Sequence, residues 1–348
     1  MTIAYLNGDF APLADVRISP MDRGFLFGDG VYEVIPCYDG KMVALQYHLE
    51  RLRQSLDGIA LTQPHSDGQL IGILDDIVAR NGAGDLGIYL QITRGVVEKR
   101  QHAFPEHPLP TVFAYAFDIS PPSDGSPETA SCFRAVTRRD QRWGRCHIKS
   151  TALLGNVLHM MEAVEEEAEE VLLFNEQDEL TEAAACNVFV VRGDKILTPE
   201  LDHQKLPGVT RRQCLELLEA HTDWSVEVRP VSRDEVLSAS EIWLSSSTKE
   251  LAPVVSVDGK PVNEGCPGRA GQPHKNCFSD TASVVPDVTR NNGSHRSHRH
   301  RREHSHPSGV AGSAALHGRG ESRCLRSWRG SGRTTYSAQC GCPGGGVY

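Results

Sequence analysis

The chain has 348 residues, 23% charged and 39% hydrophobic, which fits a soluble globular protein long enough for two domains. Its net charge is −9, but residues 266–348 hold twelve Lys and Arg against four Asp and Glu, so the first 265 residues carry −17. An acidic body excludes a general nucleic-acid binder, because phosphate attraction needs the opposite sign. Without a long apolar run or a basic-then-apolar leader at Met1-Thr2-Ile3-Ala4-Tyr5, no membrane association is expected and a cytoplasmic location is.

From the N-terminus, strand-like runs at Val31–Ile35, Lys41–Leu45, Ile88–Ile92 and Thr111–Tyr115 alternate with helical patterns near 46–58 and 67–82. Tyr38-Asp39-Gly40-Lys41 carries the Asp-Gly signal of a hairpin turn joining the first two runs. The Pro, Ser and Gly cluster at 120–127 reads as a linker, so a small N-terminal α/β domain is expected over 1–118, an interdomain linker over 119–130 and a larger domain over 131–265. Within the latter, Leu153, Leu154, Val157, Leu158, Met161 and Val164 recur at helical spacing and predict a helix with one buried face, the acidic run Glu162–Glu170 being its solvated side and end. Short strands at 171–174 and 187–191, a helix near 208–221 and strands near 226–230 and 241–246 complete an α+β arrangement.

From Cys266 the composition turns to Arg, Gly, Ser and His with almost no apolar periodicity, and such a segment cannot bury enough surface to fold alone, so a disordered tail is expected. A GC-rich reading frame gives this composition when shifted, and resequencing the coding DNA around codon 265 tests that origin. Its histidines (His295, His298, His300, His304, His306) lack a fold to fix ligand geometry, so no metal site is expected. Cys37, Cys132, Cys146, Cys186 and Cys214 are scattered without metal-ligand spacing and are expected to be reduced and mostly buried.

Several separated motifs agree in order and spacing: Arg51 in His48-Leu49-Glu50-Arg51-Leu52, Lys149 in Cys146-His147-Ile148-Lys149-Ser150-Thr151, Glu182 in Leu180-Thr181-Glu182-Ala183, the turn Leu206-Pro207-Gly208-Val209-Thr210-Arg211, and Ser245-Ser246-Ser247-Thr248. Together, over roughly residues 3–265, they resemble the class IV (fold type IV) aminotransferases, which use pyridoxal 5′-phosphate. The resemblance implies a two-domain α+β fold in a homodimer, with the cofactor between the domains. It implies Lys149 as the Schiff-base lysine and proton shuttle, although a lone lysine is ordinarily a surface charge. Burial beside a cationic cofactor should lower its pKa enough for it to act as a base. Glu182 would face the pyridine nitrogen, whose protonation makes the cofactor an electron sink. Arg51 would pair with the phosphate through its always-charged planar fork, together with the N–H groups of Val209 and Thr210 at a helix N-terminus. Ser247 and Thr248 would add donors to that phosphate, and Leu206 would pack on the ring. Gly28-Asp29-Gly30 lacks both the full spacing and the following helix of a phosphate loop, and is expected instead to bend the chain into the strand carrying Tyr32.

Substrate choice is expected to rest on Thr93–His102. In the D-amino-acid branch of the family an Arg-x-His pair in this region, with the tyrosine of Gly30-Val31-Tyr32, traps the substrate carboxylate; here these are Arg100, His102 and Tyr32. Arginine gives a carboxylate two parallel hydrogen bonds, while the other two side chains fix its orientation. A solvated charged loop is the competing reading, since Lys99 and Arg100 are adjacent cations. The expected activity is transamination between a D-amino acid, D-alanine or D-glutamate, and a 2-oxo acid. An aminodeoxychorismate lyase, a branched-chain aminotransferase or an R-selective amine transaminase of the same fold remains open, as does an inactive product of a gene damaged at its 3′ end.

Overall fold

A computed structural model describes residues 1–82, 84–122, 130–221 and 224–265. Most of the expected linker and the whole of 266–348 therefore lie outside the described residues.

The first half builds β1 (Ile3–Leu6), β2 (Asp9–Pro12), α1 (Arg23–Phe27), β3 (Gly30–Tyr38), β4 (Lys41–Met42), α2 (Leu45–Gly58), α3 (Asp67–Asn81), β5 (Leu86–Thr93) and β6 (Thr111–Asp118). Among the described residues these strands form a six-stranded sheet in the order β2-β1-β6-β5-β3-β4. The Asp39-Gly40 turn is as expected: Tyr38 pairs with Lys41, and both central residues have positive φ, 49° and 75°. The run Lys41–Leu45 is not one strand, however. Pairing stops at Met42, Ala44 takes φ 50°, and Leu45 opens α2.

Alternation along β3 decides what faces where. Val31, Ile35 and Cys37 point into a core with Leu49, Leu52 and Leu56 of α2 and Leu70, Leu74 and Ile77 of α3. Tyr32 and Val34 take the opposite, half-buried face. Helix α3 starts in a capping box, Ser66 with Gln69, which satisfies two N-terminal donors reciprocally.

The second half builds β7 (Phe133–Arg139), α4 (Leu154–Glu165), β8 (Glu170–Phe174), β9 (Leu180–Ala183), β10 (Asn187–Arg192), β11 (Lys195–Thr198), α5 (Val209–His221), β12 (Ser225–Val228), α6 (Arg233–Leu237), β13 (Glu241–Ser246), β14 (Glu250–Val257) and β15 (Lys260–Pro261). Its sheet runs β12-β11-β10-β13-β14-β7-β8-β9, with β15 on β14. Three pairs are parallel, β14 with β7, β7 with β8 and β11 with β12, and the last two join strands that follow one another through a single helical connection. Parallel neighbours require a crossover, and the two crossovers contain Lys149 with α4 and the Leu206–Gly208 turn with α5.

Helix α4 corrects one expectation. Its apolar stripe is not the buried face: Leu154, Val157, Leu158, Met161 and Val164 are between 49% and 70% exposed. His159 and Ala163 are the residues it buries in its own chain. Helical periodicity reveals an amphipathic helix but does not say which face its own sheet takes, and an outward apolar stripe of this kind marks an interaction surface.

Candidate active site

Both sheets line one cavity of about 190 Å³. From the first come Tyr32 on β3 and Arg51 on α2; from the second come Lys149, Glu182, Leu206 and Ser245. Backbone pairing sets the lysine beside the tyrosine. Tyr32 N donates to Lys149 O at 3.0 Å and Thr151 N to Gly30 O at 3.0 Å, so residues 149–151 lie against the start of β3. The Lys149 ammonium stands 4.2 Å from the centre of the Tyr32 ring, a cation over a π face. Gly28 ends α1 with φ 66°, and a Cβ there would come within 2.9 Å of Ala152 Cβ. The Gly-Asp-Gly segment is thus the bend into β3 that was expected.

Glu182 is buried at the other end, 4% exposed on β9. Arg142 Nη1 donates to its Oε1 at 2.5 Å, while Leu206 N and Asn187 Nδ2 donate to Oε2 at 2.9 and 3.1 Å. Burial raises the Glu182 carboxyl, against the charge and hydrogen bond of Arg142. Three converging donors can be satisfied only by an acceptor, so the carboxylate is the form this cradle holds, and its lone-pair sites still leave room for a further donor. Arg142 is fixed in turn by Asp140, through Nε at 3.0 Å and Nη2 at 2.7 Å.

On the Arg51 side the geometry is tighter than the sequence suggests. Arg51 gives its fork to Glu33, Nε to Oε1 at 2.9 Å and Nη2 to Oε2 at 2.7 Å, and His48 Nδ1 lies 2.7 Å from the same Oε2. Only Nη1 turns toward the second half, donating to Pro207 O at 3.2 Å. Immediately beyond, α5 begins at Val209, and Val209 and Thr210 line the cavity. The first N–H groups of a helix have no intrahelical acceptor, and the helix dipole favours an anion there. Ser245 Oγ, also on the cavity wall, is buried without a hydrogen-bond partner among the described residues.

The profile of the family described as amino-transferase class IV matches residues 30–257. The chain belongs to the class IV aminotransferases. Among curated relatives, this aminotransferase is 37% identical over 262 residues to a D-alanine aminotransferase of Bacillus licheniformis, covering 75% of this chain and 90% of that protein. It is 34% identical over 266 residues to one of Staphylococcus haemolyticus, covering 76% and 92%. Its fold matches the branched-chain amino acid aminotransferase from Escherichia coli with TM-score 0.71 at 23% identity, over 80% of this chain and 93% of that one. The branched-chain amino acid aminotransferase from Thermobaculum terrenum, solved in its PLP form, matches with TM-score 0.71 at 21% identity, over 80% and 93%. The architecture is thus the fold type IV arrangement of α+β class.

Of the residues expected in the aminotransferase site, the cavity gathers Tyr32, Arg51, Lys149, Glu182, Leu206, Val209, Thr210 and Ser247. Three do not line it. Thr248 lies one residue past the wall, and Arg100 and His102 are exposed on the loop between β5 and β6. Sequence reasoning missed Arg142, Asn187, Glu33, His48 and Ser245. Arg142, Asn187 and Glu33 have no periodic or spacing signal, and only side-chain pairing identifies them, whereas His48 and Ser245 stand inside the quoted motifs of Arg51 and Ser247 and were given no role there.

Proposed function

We propose that this aminotransferase moves an amino group between a D-amino acid, D-alanine or D-glutamate, and a 2-oxo acid, with pyridoxal 5′-phosphate as cofactor. One observation carries the reading: a lysine amine over Tyr32, a buried carboxylate held by three donors, and an arginine beside a helix N-terminus share one cavity. The cofactor's three polar groups need these partners, and the partnerless Ser245 Oγ adds a free polar group to the wall. When bound, pyridoxal phosphate supplies an aldehyde for the amino group and an electron-withdrawing ring that stabilises charge at Cα. Lys149 Nζ would contribute the amine that holds the cofactor and, once displaced by the substrate's amine, would move a proton between the substrate Cα and the carbon of the cofactor's former aldehyde. Glu182 would accept a hydrogen bond from the ring nitrogen and so keep it protonated. Arg51, through the Nη1 left over from its pairing with Glu33, and the N–H groups of Val209 and Thr210 would hold the phosphate, with Ser247 on the wall and Thr248 one residue beyond it as further donors. Leu206, clamped between Glu182 and Asn187, supplies an apolar contact to the ring.

The D preference rests on the named relatives and on Tyr32, Arg100 and His102 as the carboxylate trap. Because Arg100 and His102 stand outside the cavity of their own chain, we infer a homodimer in which the loop of a second copy completes the trap. The exposed α4 stripe, running from Leu153 at the cavity rim, supports this. One core drawn from Tyr5–Ala116, joined across the division by Ile148 alone, and another drawn from Ala135–Val262 support the two-domain division with a linker at 119–130. The free cysteines at the described positions accord with a reducing, cytoplasmic compartment, and no helix among the described residues is long and apolar enough to cross a membrane.

The test is the visible absorbance of the full chain and of Lys149→Ala, before and after D-alanine and then L-leucine. A visible band bleached by D-alanine alone, and altered in the variant, is expected. Bleaching by L-leucine and not by D-alanine would favour a branched-chain specificity. No band in folded protein would mean that the chain is an inactive product.

A further inference from the structure

We propose that Arg23 is a positioning residue for the substrate-carboxylate trap, holding the loop that presents Arg100 and His102; this rests on the reading of those two residues given above. The loop covers residues 94–110 and contains no helix or strand, a length at which backbone groups go unpaired and conformations multiply. Arg23, on α1, supplies partners for three of those groups. Its side chain is 3% exposed, and its guanidinium caps three successive carbonyls: Nη1 donates to Gln101 O at 2.7 Å and Ala103 O at 3.3 Å, and Nη2 to His102 O at 3.1 Å.

The arginine is itself anchored. Nε donates to Asp29 Oδ2 at 2.7 Å, and the same oxygen accepts from Arg94 Nε at 2.9 Å. Arg94, at the loop's root, reaches Ile59 O at 2.6 Å and Ala60 O at 3.2 Å past the end of α2, and lies 3.6 Å over the ring of Phe104. Arg23–Asp29–Arg94 therefore ties α1, the loop and α2 into one rack. On its outer side, Phe27 at the end of α1 seats both trap side chains, with the Arg100 guanidinium 5.0 Å and the His102 ring 5.3 Å from its centre. Two buried guanidinium groups share one carboxylate, an expensive arrangement that a packed apolar cluster would replace if stability alone were at stake. A planar fork can serve three carbonyls and a carboxylate at once, and a lysine ammonium cannot.

In the full-length holoenzyme, Arg23→Lys and Phe27→Leu should each raise KM for D-alanine by about tenfold or more, with kcat within about threefold and the visible cofactor band unchanged. Phe27 is only half-buried, so its variant keeps the test open where Arg23→Lys fails to fold. Arg100→Ala supplies the reference. In the double variant Arg23→Lys/Arg100→Ala, the Arg23 change should add less to KM than it does alone, because one of the two side chains it positions is gone. If Arg100→Ala raises KM and both Arg23→Lys and Phe27→Leu leave it unmoved, the positioning role is wrong and the trap stands. If Arg100→Ala leaves KM unmoved, the trap reading fails and takes this one with it.

Discussion

Burying Glu33 between His48 and Arg51 makes this side of the cavity depend on pH. Burial by itself raises the carboxyl, but the Arg51 charge and the hydrogen bonds from Arg51 and His48 outweigh it and hold Glu33 at about 2, below its ordinary 4.5. The native state thus binds fewer protons here than the unfolded chain. The contribution is complete above about pH 4.5 and is lost as pH falls toward 2. His48 is depressed too, chiefly by burial against the pull of Glu33, so charging it destabilises the fold as pH drops below its ordinary 6.5. Glu33→Gln should flatten the acid limb of the stability curve and lower stability at neutral pH by about 3 kcal/mol, because it leaves Arg51 buried without its partner; thermal melts from pH 2 to 7 check both. At the opposite end, Glu182→Gln keeps the shape but presents an amide to Arg142. We expect kcat to fall by about a hundredfold with the cofactor still bound, read by steady-state kinetics beside the visible spectrum.

At the scale of elements, the start of α5 shows how little room the site allows. A Cβ on Gly208 would come within 1.9 Å of Asn187 Oδ1, so Gly208→Ala must displace the amide that holds both Glu182 and the Leu206 carbonyl. Titrating apoenzyme with pyridoxal phosphate should show cofactor affinity weakened by about tenfold. A change away from the site behaves differently. Ser66→Ala removes one half of the α3 capping box and should cost about 1 kcal/mol in denaturant melts without touching the cavity. The long periodic helices α2, α3 and α5 were legible in the sequence to within one residue or so. The four-residue strands β1, β2 and β9 and the five-residue helices α1 and α6 were not, since so short a run carries too few residues to establish a period.

For the whole molecule, the homodimer proposed above rests on the outward stripe of α4 and on Arg100 and His102 lying outside their own cavity. Leu154→Glu with Leu158→Glu places charge at positions 70% and 58% exposed in the single chain. The folded monomer tolerates such charge, whereas an apolar interface between copies does not. Sedimentation should therefore show a shift toward monomer, with transaminase activity lost in step. Mixing Lys149→Ala with Arg100→Ala protein under conditions of subunit exchange offers a sharper check. If sites are shared, each mixed dimer regains one intact site and activity rises to about a quarter of the wild-type level; if sites lie within one chain, nothing returns.

Ordered motifs carry their chemistry in residue type and spacing, and on that basis the sequence by itself determined the family and its cofactor, and named the lysine and the other residues proposed to hold that cofactor. Alternation and helical periodicity, which follow from backbone geometry, also placed the Asp39-Gly40 hairpin and the main helices. Contacts between residues far apart in the chain were decided only by the tertiary structure. Arg51 to Glu33, Arg142 to Glu182 and Arg23 to the carbonyls of 101–103 join side chains with no local pattern, because any buried charge takes whichever partner the fold brings near. The α4 stripe turned outward for a related reason: periodicity records that a face is apolar, and only packing assigns what it meets.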